Sequence, residues 1–235
     1  MRKYNFNEHY FDNIDCQEKA YWLGFFAADG YNHTNKGCIE FRLHKQDKEI
    51  IEKFKSCIEA NNPIGLYKQT YCNLTLYSQH LCDKLSEYGL NQAKTYTLQI
   101  PELDNELMRH FIRGYYDGDG CFSVIKRSDR KNPNSKIYQF NITGMENPLR
   151  KIQEHLIKNV GVVDNGLKHR KSTIAVTIHY NGRNVCKRIL DYLYQDATIY
   201  LQRKYNKYVE YCISAEQSAI IKNLVNSGNI LIGQS

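Results

Sequence analysis

The chain has 235 residues, which is enough for one large domain or two small ones with a real core. Hydrophobic residues make up 42% and charged residues 24%, and these values exclude a wholly disordered chain. The net charge of +7 permits a polyanionic partner without requiring one. No apolar run approaches the ~20 residues that span a bilayer, and residues 1–15 lack the apolar core of a secretory signal. We therefore expect a cytoplasmic protein without a membrane partner.

The first third of the chain reads as one compact unit. Asp15 and Glu18 have capping-box spacing and predict a helix over about 16–28, with Gly30 as its stop. Asp47 is expected to be the N-cap of the next helix. The elements predicted after the first helix are strands at 31–35 and 38–44, a helix at 47–60, strands at 64–70 and 72–77, and a helix at about 79–88.

The rest of the chain repeats this unit. Residues 21–30 read YWLGFFAADG and residues 111–120 read FIRGYYDGDG. The second copy repeats the order α-β-β-α-β-β-α from about 105, with Asn147 as an N-cap and Pro148 behind it. Two copies predict a pseudo-two-fold α+β molecule, because a solenoid needs three repeats or more. The expected divisions are an N-terminal half 1–98, a linker 99–108, a C-terminal half 109–213 and a tail 214–235 without an assigned role.

Small residues mark one face of the first helix in each copy. At helical i, i+4 spacing these are Gly24 and Ala28, and Gly114 and Gly118. Such a spacing lets two helix backbones approach closely. If the two helices pack on each other, Asp29 and Asp119 meet at their C-terminal ends.

A pair of acids at two helix C-termini is electrostatically unfavourable. The helix end already carries partial negative charge, and two carboxylates ~5 Å apart repel by about 3 kcal/mol at an effective dielectric of 20. A divalent cation removes the conflict, because carboxylates and helix-end carbonyls suit Mg²⁺ or Ca²⁺. A cation held by few carboxylates, with water and phosphate as its other ligands, is typical of phosphodiester cleavage.

Several of these residues and their neighbours also have structural interpretations. A calcium loop starting at Asp117 fails, since its fifth, sixth and twelfth positions are Cys121, Phe122 and Ser128. The aromatic residues of the repeat are expected to pack in the core without a chemical role: Phe25, Phe26, Tyr115 and Tyr116. His9, His155 and the other scattered histidines lack partners at metal-ligand spacing and are expected to be solvated or structural.

The segments WLGFFAADG (22–30) and IRGYYDGDG (112–120) resemble the two motifs of LAGLIDADG homing endonucleases. The order of elements resembles that family over roughly 15–210, and EKAYWLGFFAADG (18–30) is similar to its bacterial and phage-type members. The resemblance implies a monomer of two αββαββα halves whose saddle-shaped antiparallel sheets grip double-stranded DNA at a long asymmetric site. It implies Mg²⁺-dependent cleavage that leaves 3′ overhangs, with Ca²⁺ or Mn²⁺ able to occupy the site. It also places the protein in a bacterial or phage-infected cytoplasm or in an organelle.

The resemblance also assigns the catalytic residues. It implies that Asp29 and Asp119 bind the metal ions together with the carbonyls of Ala28 and Gly118. Ala27 stands where many motifs carry an acid, and the second motif has Asp117 there, a difference expected to matter little. A polar residue near the metal-bound waters is expected after the second strand of each half. Lys45 fits this position, whereas Gly144 does not, so the two strands are expected to be cut with unequal efficiency. A basic residue near the scissile phosphate is expected at Lys94 in the first half and at Lys204 or Arg203 in the second.

Polar strand residues are the candidates for DNA contact, because alternation places them on one sheet face. Arginine there reads guanine, and asparagine or glutamine reads adenine. The predicted contact residues are Tyr31, His33, Asn35, Glu40, Arg42, His44, Lys68, Asn73 and Thr75 in the first half, and Ser123, Ile125, Arg127, Gln139, Asn141, Thr143, Lys168, Arg170 and Thr177 in the second.

Two other functions stay open at this point. Some proteins that resemble this chain are RNA maturases, which assist intron splicing. Others are DNA-binding regulators with a decayed nuclease fold, but those lose the motif acids, and this chain retains Asp29 and Asp119.

Overall fold

A computed structural model describes residues 3–91, 98–126, 135–169, 171 and 173–226, with side chains described up to residue 214. The helices within these residues are α1 Gln17–Asp29, α2 Lys48–Cys57, α3 Gln79–Glu87, α4 Asn105–Asp119, α5 Glu146–Val160, α6 Arg183–Tyr194 and α7 Gln202–Asn226. The strands are β1 Gly30–His33, β2 Cys38–His44, β3 Gly65–Tyr67, β4 Tyr71–Tyr77, β5 Gly120–Lys126, β6 Lys136–Gly144, β7 Lys168–His169 and β8 Val176–Asn181. Among the described residues, no helix is both long and apolar enough to cross a membrane.

The strands form two antiparallel four-stranded sheets with the same internal order. The first sheet runs β1-β2-β4-β3 and the second runs β5-β6-β8-β7. The predicted α+β class and the repeated αββαββα unit are therefore confirmed. The apolar side chains that alternate along β2 and β4 face α2, and the rings of Phe41 and Phe54 lie 4.9 Å apart there. Phe140 and Ile178 occupy the corresponding buried face of the second sheet.

Helices α1 and α4 pack backbone against backbone at the predicted small residues. A methyl group added to Gly24 would lie 2.0 Å from the carbonyl oxygen of Phe111, and one added to Gly114 would lie 1.9 Å from that of Tyr21. One added to Gly118 would lie 2.3 Å from the Ala28 Cβ. The two helices thus leave no room for a side chain at these glycines, and the predicted seam between the halves is confirmed.

The predicted helix caps are partly wrong. Helix α1 begins at Gln17 after an N-cap at Cys16, and Asp15 forms an ion pair with Lys19 at 2.9 Å instead of capping the helix. Helix α5 begins at Glu146 after Met145, so Asn147 lies inside its first turn. Asp47 is the N-cap of α2, but its carboxylate makes no capping bond because it pairs with Arg203 at 2.8 Å.

Two of the predicted contact residues, Asn35 and Lys68, lie in turns. Asn35 belongs to a 3₁₀ turn, Thr34–Lys36, which Gly37 closes in the left-handed conformation at φ 60°. Lys68 has φ 50° and lies in the tight β3–β4 turn beyond Tyr67. Both hairpins are closed by short turns, which remove these residues from the alternating strand pattern.

A buried arginine on α4 ties this seam helix to the C-terminal part of the second half. Arg113 on α4 is fully buried and donates to the carbonyl oxygens of Ile199 at 3.0 Å and Leu193 at 3.2 Å. It also donates to His110 Nδ1 at 2.6 Å. Burial, and then the charges of Arg113 and Arg109, lower the pKa of His110 to about 4. His110 is therefore neutral at pH 7, where its ring nitrogen accepts from the guanidinium.

The first prediction concerns the seam. Gly114→Ala should lower the free energy of unfolding by about 1–3 kcal/mol, since the added methyl overlaps a backbone carbonyl that cannot move aside. Helix propensity alone predicts the opposite sign, a gain of up to about 1 kcal/mol. Urea unfolding of both proteins measures the change, and an unchanged or raised midpoint would contradict the close approach.

The second prediction concerns acid. Because the folded pKa of His110 is below its unfolded value, its contribution is complete above about pH 6.5 and is lost as the pH falls towards 4. His110→Asn keeps an acceptor but does not titrate. The wild type should lose ~3 kcal/mol more stability than this variant over that interval. Parallel pH profiles of the unfolding free energy for the two proteins would refute the assignment.

Candidate metal and DNA-binding site

Each seam helix ends on one of the predicted metal-binding acids. Asp29 is the last residue of α1 and Asp119 the last of α4, and both are exposed. The chain turns directly into a strand at Gly30 and Gly120, both with extended backbone. A methyl group at Gly30 would lie 2.3 Å from the Phe26 ring, so close approach of an aromatic ring requires the glycine there. The predicted helix stop at Gly30 is confirmed.

The seam brings the two acids to the same place. A methyl group added to Gly118 would lie 3.2 Å from Asp29 Oδ2, so the Asp29 carboxylate reaches across to the last turn of α4. Both carboxylates also act on the buried Tyr115 hydroxyl, whose pKa is raised by burial first and then by Asp119 and Asp29. Two exposed carboxylates beside helix-end carbonyls form an oxygen-only donor set, which fits Mg²⁺ or Ca²⁺.

Lys204 lies beneath this site. Its side chain donates to the carbonyl oxygens of Gly120 at 2.6 Å, Tyr116 at 2.7 Å and Gly118 at 3.3 Å, and the residue is only 7% exposed. Burial lowers its pKa to about 8, although Asp117 opposes the shift. Lys204 is thus buried beneath the site, and its predicted role near the scissile phosphate stays a prediction. In the structure its ammonium offsets the partial negative charge at the C-terminus of α4.

The acid that sequence reasoning treated as unimportant is a structural centre. Asp117 is buried and accepts from Leu201 N at 2.7 Å, Tyr21 Oη at 2.9 Å and Tyr194 Oη at 3.0 Å. Burial raises its pKa, while Lys204 and these donors oppose the rise. The bonds join α1, α4, α6 and the segment that enters α7. The one sequence feature that could have indicated this role is an acid among the small and aromatic residues of the second motif.

Tyr115 is a second residue that sequence reasoning missed. Tyr115 is expected to pack in the core without a chemical role, and it is indeed buried. Its hydroxyl, however, occupies the space that a side chain at position 144 would need. A methyl group added to Gly144 would lie 2.4 Å from Tyr115 Oη. The two residues line a cavity of about 250 Å³ together with Asp119, Ala28 and Thr143. In the first copy Phe25 takes this place in the repeat and carries no hydroxyl.

The remaining basic candidates have different surroundings. Lys45 is exposed in a 3₁₀ turn directly after β2, and its backbone N–H donates to Thr70 O at 2.9 Å. Arg203, the alternative to Lys204, has its guanidinium on Asp47. The predictions for Lys94, Arg127 and Arg170 lie outside the described residues.

The first sheet presents most of its predicted contact residues on one face. Strand register places them opposite one another as the pairs Tyr31 with Glu40, Glu40 with Thr75, Arg42 with Asn73 and His44 with Tyr71, and His33 alternates onto the same face. The same face carries exposed Tyr67, Tyr71 and Tyr77, which sequence reasoning did not single out although alternation indicates them. A cleft of about 550 Å³ continues from Asp29 along this face to Arg42.

Glu40 organises the cationic groups of that face. Its Oε1 accepts from Arg42 Nη2 at 2.8 Å and Nε at 3.1 Å, and its Oε2 lies 3.2 Å from His33 Nε2. Arg42 also lies over the ring of Tyr67, 4.6 Å from its centroid. Glu40 therefore holds Arg42 in position through the Nε and Nη2 groups of its guanidinium.

The second sheet presents the other predicted contact residues. Register pairs Ser123 with Gln139, Asn141 with His179, Thr143 with Thr177 and Lys168 with Thr177, and Ile125 lies opposite Ile137 on the same face. His179 was not predicted as a contact residue, although it bonds to Asn141 through Nδ1. Both faces carry imidazole and amide groups, but among the described residues only the first also carries an arginine and several exposed tyrosines.

Comparisons with solved structures find the same architecture. The LAGLIDADG homing endonuclease I-SmaMI bound to cleaved DNA is 16% identical with a TM-score of 0.62, over 89% of this chain and 92% of that chain. The I-SmaMI complex with uncleaved DNA and calcium ions is 16% identical with a TM-score of 0.61, over 87% and 90%. The I-LtrWI LAGLIDADG homing endonuclease bound to target DNA is 14% identical with a TM-score of 0.57, over 94% and 92%. At these identities the likeness concerns the fold.

Sequence comparisons give shorter matches, and no family model matches the chain. The replication factor C small subunit of Methanocaldococcus jannaschii is 25% identical over 155 residues, 61% of this chain and 8% of that protein. Its counterpart from Thermococcus kodakarensis is 28% identical over 105 residues, 43% of this chain and 12% of that protein. The chain spans about a tenth of the length of these relatives, so their names say little about its activity.

The third prediction concerns the buried charges beneath the site. Lys204→Met leaves the Asp117 carboxylate buried without its cation, and we expect a loss of ~3–5 kcal/mol in the free energy of unfolding. Asp117→Asn removes the carboxylate charge as well. A double-mutant cycle by urea unfolding should then show the double variant to be about 1–3 kcal/mol more stable than the sum of the single losses. Additive losses would mean that the two charges do not interact.

Proposed function

Because the chain has the two-half, single-chain fold of LAGLIDADG homing endonucleases, we propose that it is a site-specific, metal-dependent endonuclease that cuts both strands of DNA. The observation that carries the proposal is the pair of acids, Asp29 and Asp119, at the ends of two helices in backbone contact. A structural seam gains nothing from two carboxylates at helix C-termini, whereas a divalent cation makes them useful.

Double-stranded DNA is the proposed partner. The net charge of +7 favours a polyanion, and two sheet faces of polar and aromatic side chains offer base-edge contacts. The neighbours in the structural comparison include complexes with cleaved and uncleaved DNA. We assign one half of a long asymmetric target to residues 1–98 and the other to 109–213, joined by 99–108. Helix α7 runs through the 213 boundary as far as Asn226, so part of the tail 214–235 continues it.

Asp29 and Asp119 would hold the cations, with the carbonyls of Ala28 and Gly118 as further ligands. The Gly118 oxygen already accepts from Lys204 Nζ at 3.3 Å, so it would bind a cation through its second lone pair. Mg²⁺ is the proposed ion, and Ca²⁺ or Mn²⁺ would fit the same oxygen set. A bound divalent cation supplies an activated water for in-line attack and neutralises charge on the leaving 3′ oxygen. Lys204 fixes the carbonyls at the end of α4 and so keeps Asp119 in position. Cleavage at the two sites leaves 3′ overhangs.

The two halves have different polar groups at the position proposed to lie near the metal-bound waters. Lys45 follows β2 in the first half and has an exposed side chain, whereas Gly144 offers no side chain at the end of β6. The Tyr115 hydroxyl reaches the space that Gly144 leaves open and is the proposed substitute there. The Tyr115 ring is buried, and its hydroxyl would donate to a water in the cavity that it shares with Asp119. The proposal thus predicts different rates for the two strands.

The fourth prediction tests the acids. Asp29→Asn and Asp119→Asn preserve shape but remove the charge that holds a cation, so double-strand cleavage should fall at least ~100-fold. DNA affinity in gel shifts with Ca²⁺ should stay within about threefold of the wild type. Asp83→Asn, on α3, is the matched control and should cut normally. Normal cutting of both strands by either seam variant would rule out this mechanism.

The fifth prediction tests Tyr115. Tyr115→Phe removes only the hydroxyl and keeps the ring packing, so stability should hardly change. Cleavage of one strand should slow by at least ~10-fold while the other is cut at the usual rate, and nicked plasmid should accumulate. Tyr88→Phe, which removes a hydroxyl bonded to Phe11 O at 3.1 Å, is the control. Equal slowing of both strands, or no slowing, would exclude a role confined to the second half.

A further inference from the structure

A second group of ligand-type side chains lies in the first half, outside the seam. Asp12 Oδ2 is 2.7 Å from His9 Nδ1, and Asp12 Oδ1 is 2.6 Å from His80 Nε2. The imidazole rings lie 4.5 Å apart between centroids, and the ligand atoms of all three residues fall within 4.8 Å of one another. Sequence reasoning treated these histidines as isolated, because 68 residues separate Asp12 from His80.

We propose that His9, Asp12 and His80 form a binding site for a divalent transition-metal ion, with Zn²⁺ as the leading occupant. Two imidazoles and one carboxylate, with a fourth position open to water, are a ligand set that zinc takes. Tetrahedral ligands ~2.0 Å from a zinc ion are about 3.3 Å from each other. The present nitrogen-to-oxygen distances of 2.7 and 2.6 Å therefore need to widen by about 0.6–0.7 Å, with the ion replacing the shared protons.

The backbone around the site is already fixed by contacts that involve no metal. His9 and Asp12 lie in one turn, which is closed by a hydrogen bond from Asp12 N to His9 O at 3.0 Å. The two residues between them, Tyr10 and Phe11, are buried in the core and anchor the turn. The turn thus presents His9 and Asp12 on one side while its apolar side chains face inwards. Binding would cost little ordering of the chain on this side.

The third ligand is anchored independently. His80 lies in the first turn of α3, where Ser78 Oγ accepts from Leu81 N at 3.2 Å as a helix cap. The same hydroxyl donates to Glu8 Oε2 at 2.6 Å and so ties the helix to the segment that carries His9. The side chains stay accessible, with exposures of 65%, 33% and 43% for His9, Asp12 and His80. An ion can therefore enter from solvent and crosslink the N-terminal segment to α3.

This site differs chemically from the seam. The seam offers only oxygen ligands, which favour Mg²⁺, whereas imidazole nitrogen favours zinc and its neighbours in the transition series. The two sites would therefore select different ions from one mixture. The inference does not rest on the proposed nuclease function, and zinc would act here as a structural clamp.

The test is calorimetric titration of the metal-stripped full chain with Zn²⁺ at pH 7.5 in excess Mg²⁺. We expect one equivalent to bind, and His9→Gln, Asp12→Asn and His80→Gln each to weaken binding by at least ~10-fold. His155→Gln and Asp83→Asn are the matched controls and should bind as the wild type does. His9 is largely exposed, so His9→Gln keeps the test valid if another variant unfolds.

A second measurement separates this site from the thiols. Co²⁺ bound by imidazole and carboxylate gives no thiolate charge-transfer absorption, and Cys121→Ser, which removes an exposed thiol, should leave the spectrum unchanged. The absence of zinc binding would overturn the proposal. Unweakened binding in all three cluster variants, or a thiolate band lost in Cys121→Ser, would overturn it equally.

Discussion

The contact between α1 and α4 at Gly24 and Gly114 is the constraint on which the rest of the structure depends. Each glycine faces a carbonyl oxygen of the other helix, so no side chain separates the two backbones. The two helices therefore end at the same place, and the first strand of each half begins there at Gly30 and Gly120. One packing contact thus sets the spacing of the two acids and the starting point of both sheets.

That contact creates an electrostatic problem which the second half resolves internally. Asp119 stands at a helix end whose carbonyls already carry partial negative charge. Lys204 donates to three of these carbonyls from below, and Asp117 lies buried nearby as its counter-charge. Ala27 replaces this acid in the first half, so the buried charge centre belongs to one half alone. The halves also differ at the end of their second strands, where the Tyr115 hydroxyl lies beside Gly144 and the exposed Lys45 follows β2.

Much of the fold follows from local sequence patterns. Alternation along β2 and β6, small residues four apart on α1 and α4, and the repeat itself indicated the sheets, the seam and the positions of Asp29 and Asp119. Features that depend on distant contacts did not follow. The sequence does not show that the Asp47 carboxylate pairs with Arg203 in place of capping its own helix. Nor does it show whether Lys204 is buried, because that depends on where α7 packs. His9 and His80 meet only because the N-terminal segment docks on α3. The exact positions of turn residues such as Lys68 could not be predicted either, because short turns leave a weak sequence signal.

The central claim is that the paired acids make this chain a metal-dependent DNA endonuclease. Its most direct test is a cleavage selection, in which a duplex library enriched for sequences that the protein binds is incubated with and without Mg²⁺ and the ends are sequenced. The account predicts recurrent Mg²⁺-dependent breaks with short 3′ overhangs at one long asymmetric site. Tight binding without any recurrent break, or selective binding of structured RNA in place of duplex, would contradict it.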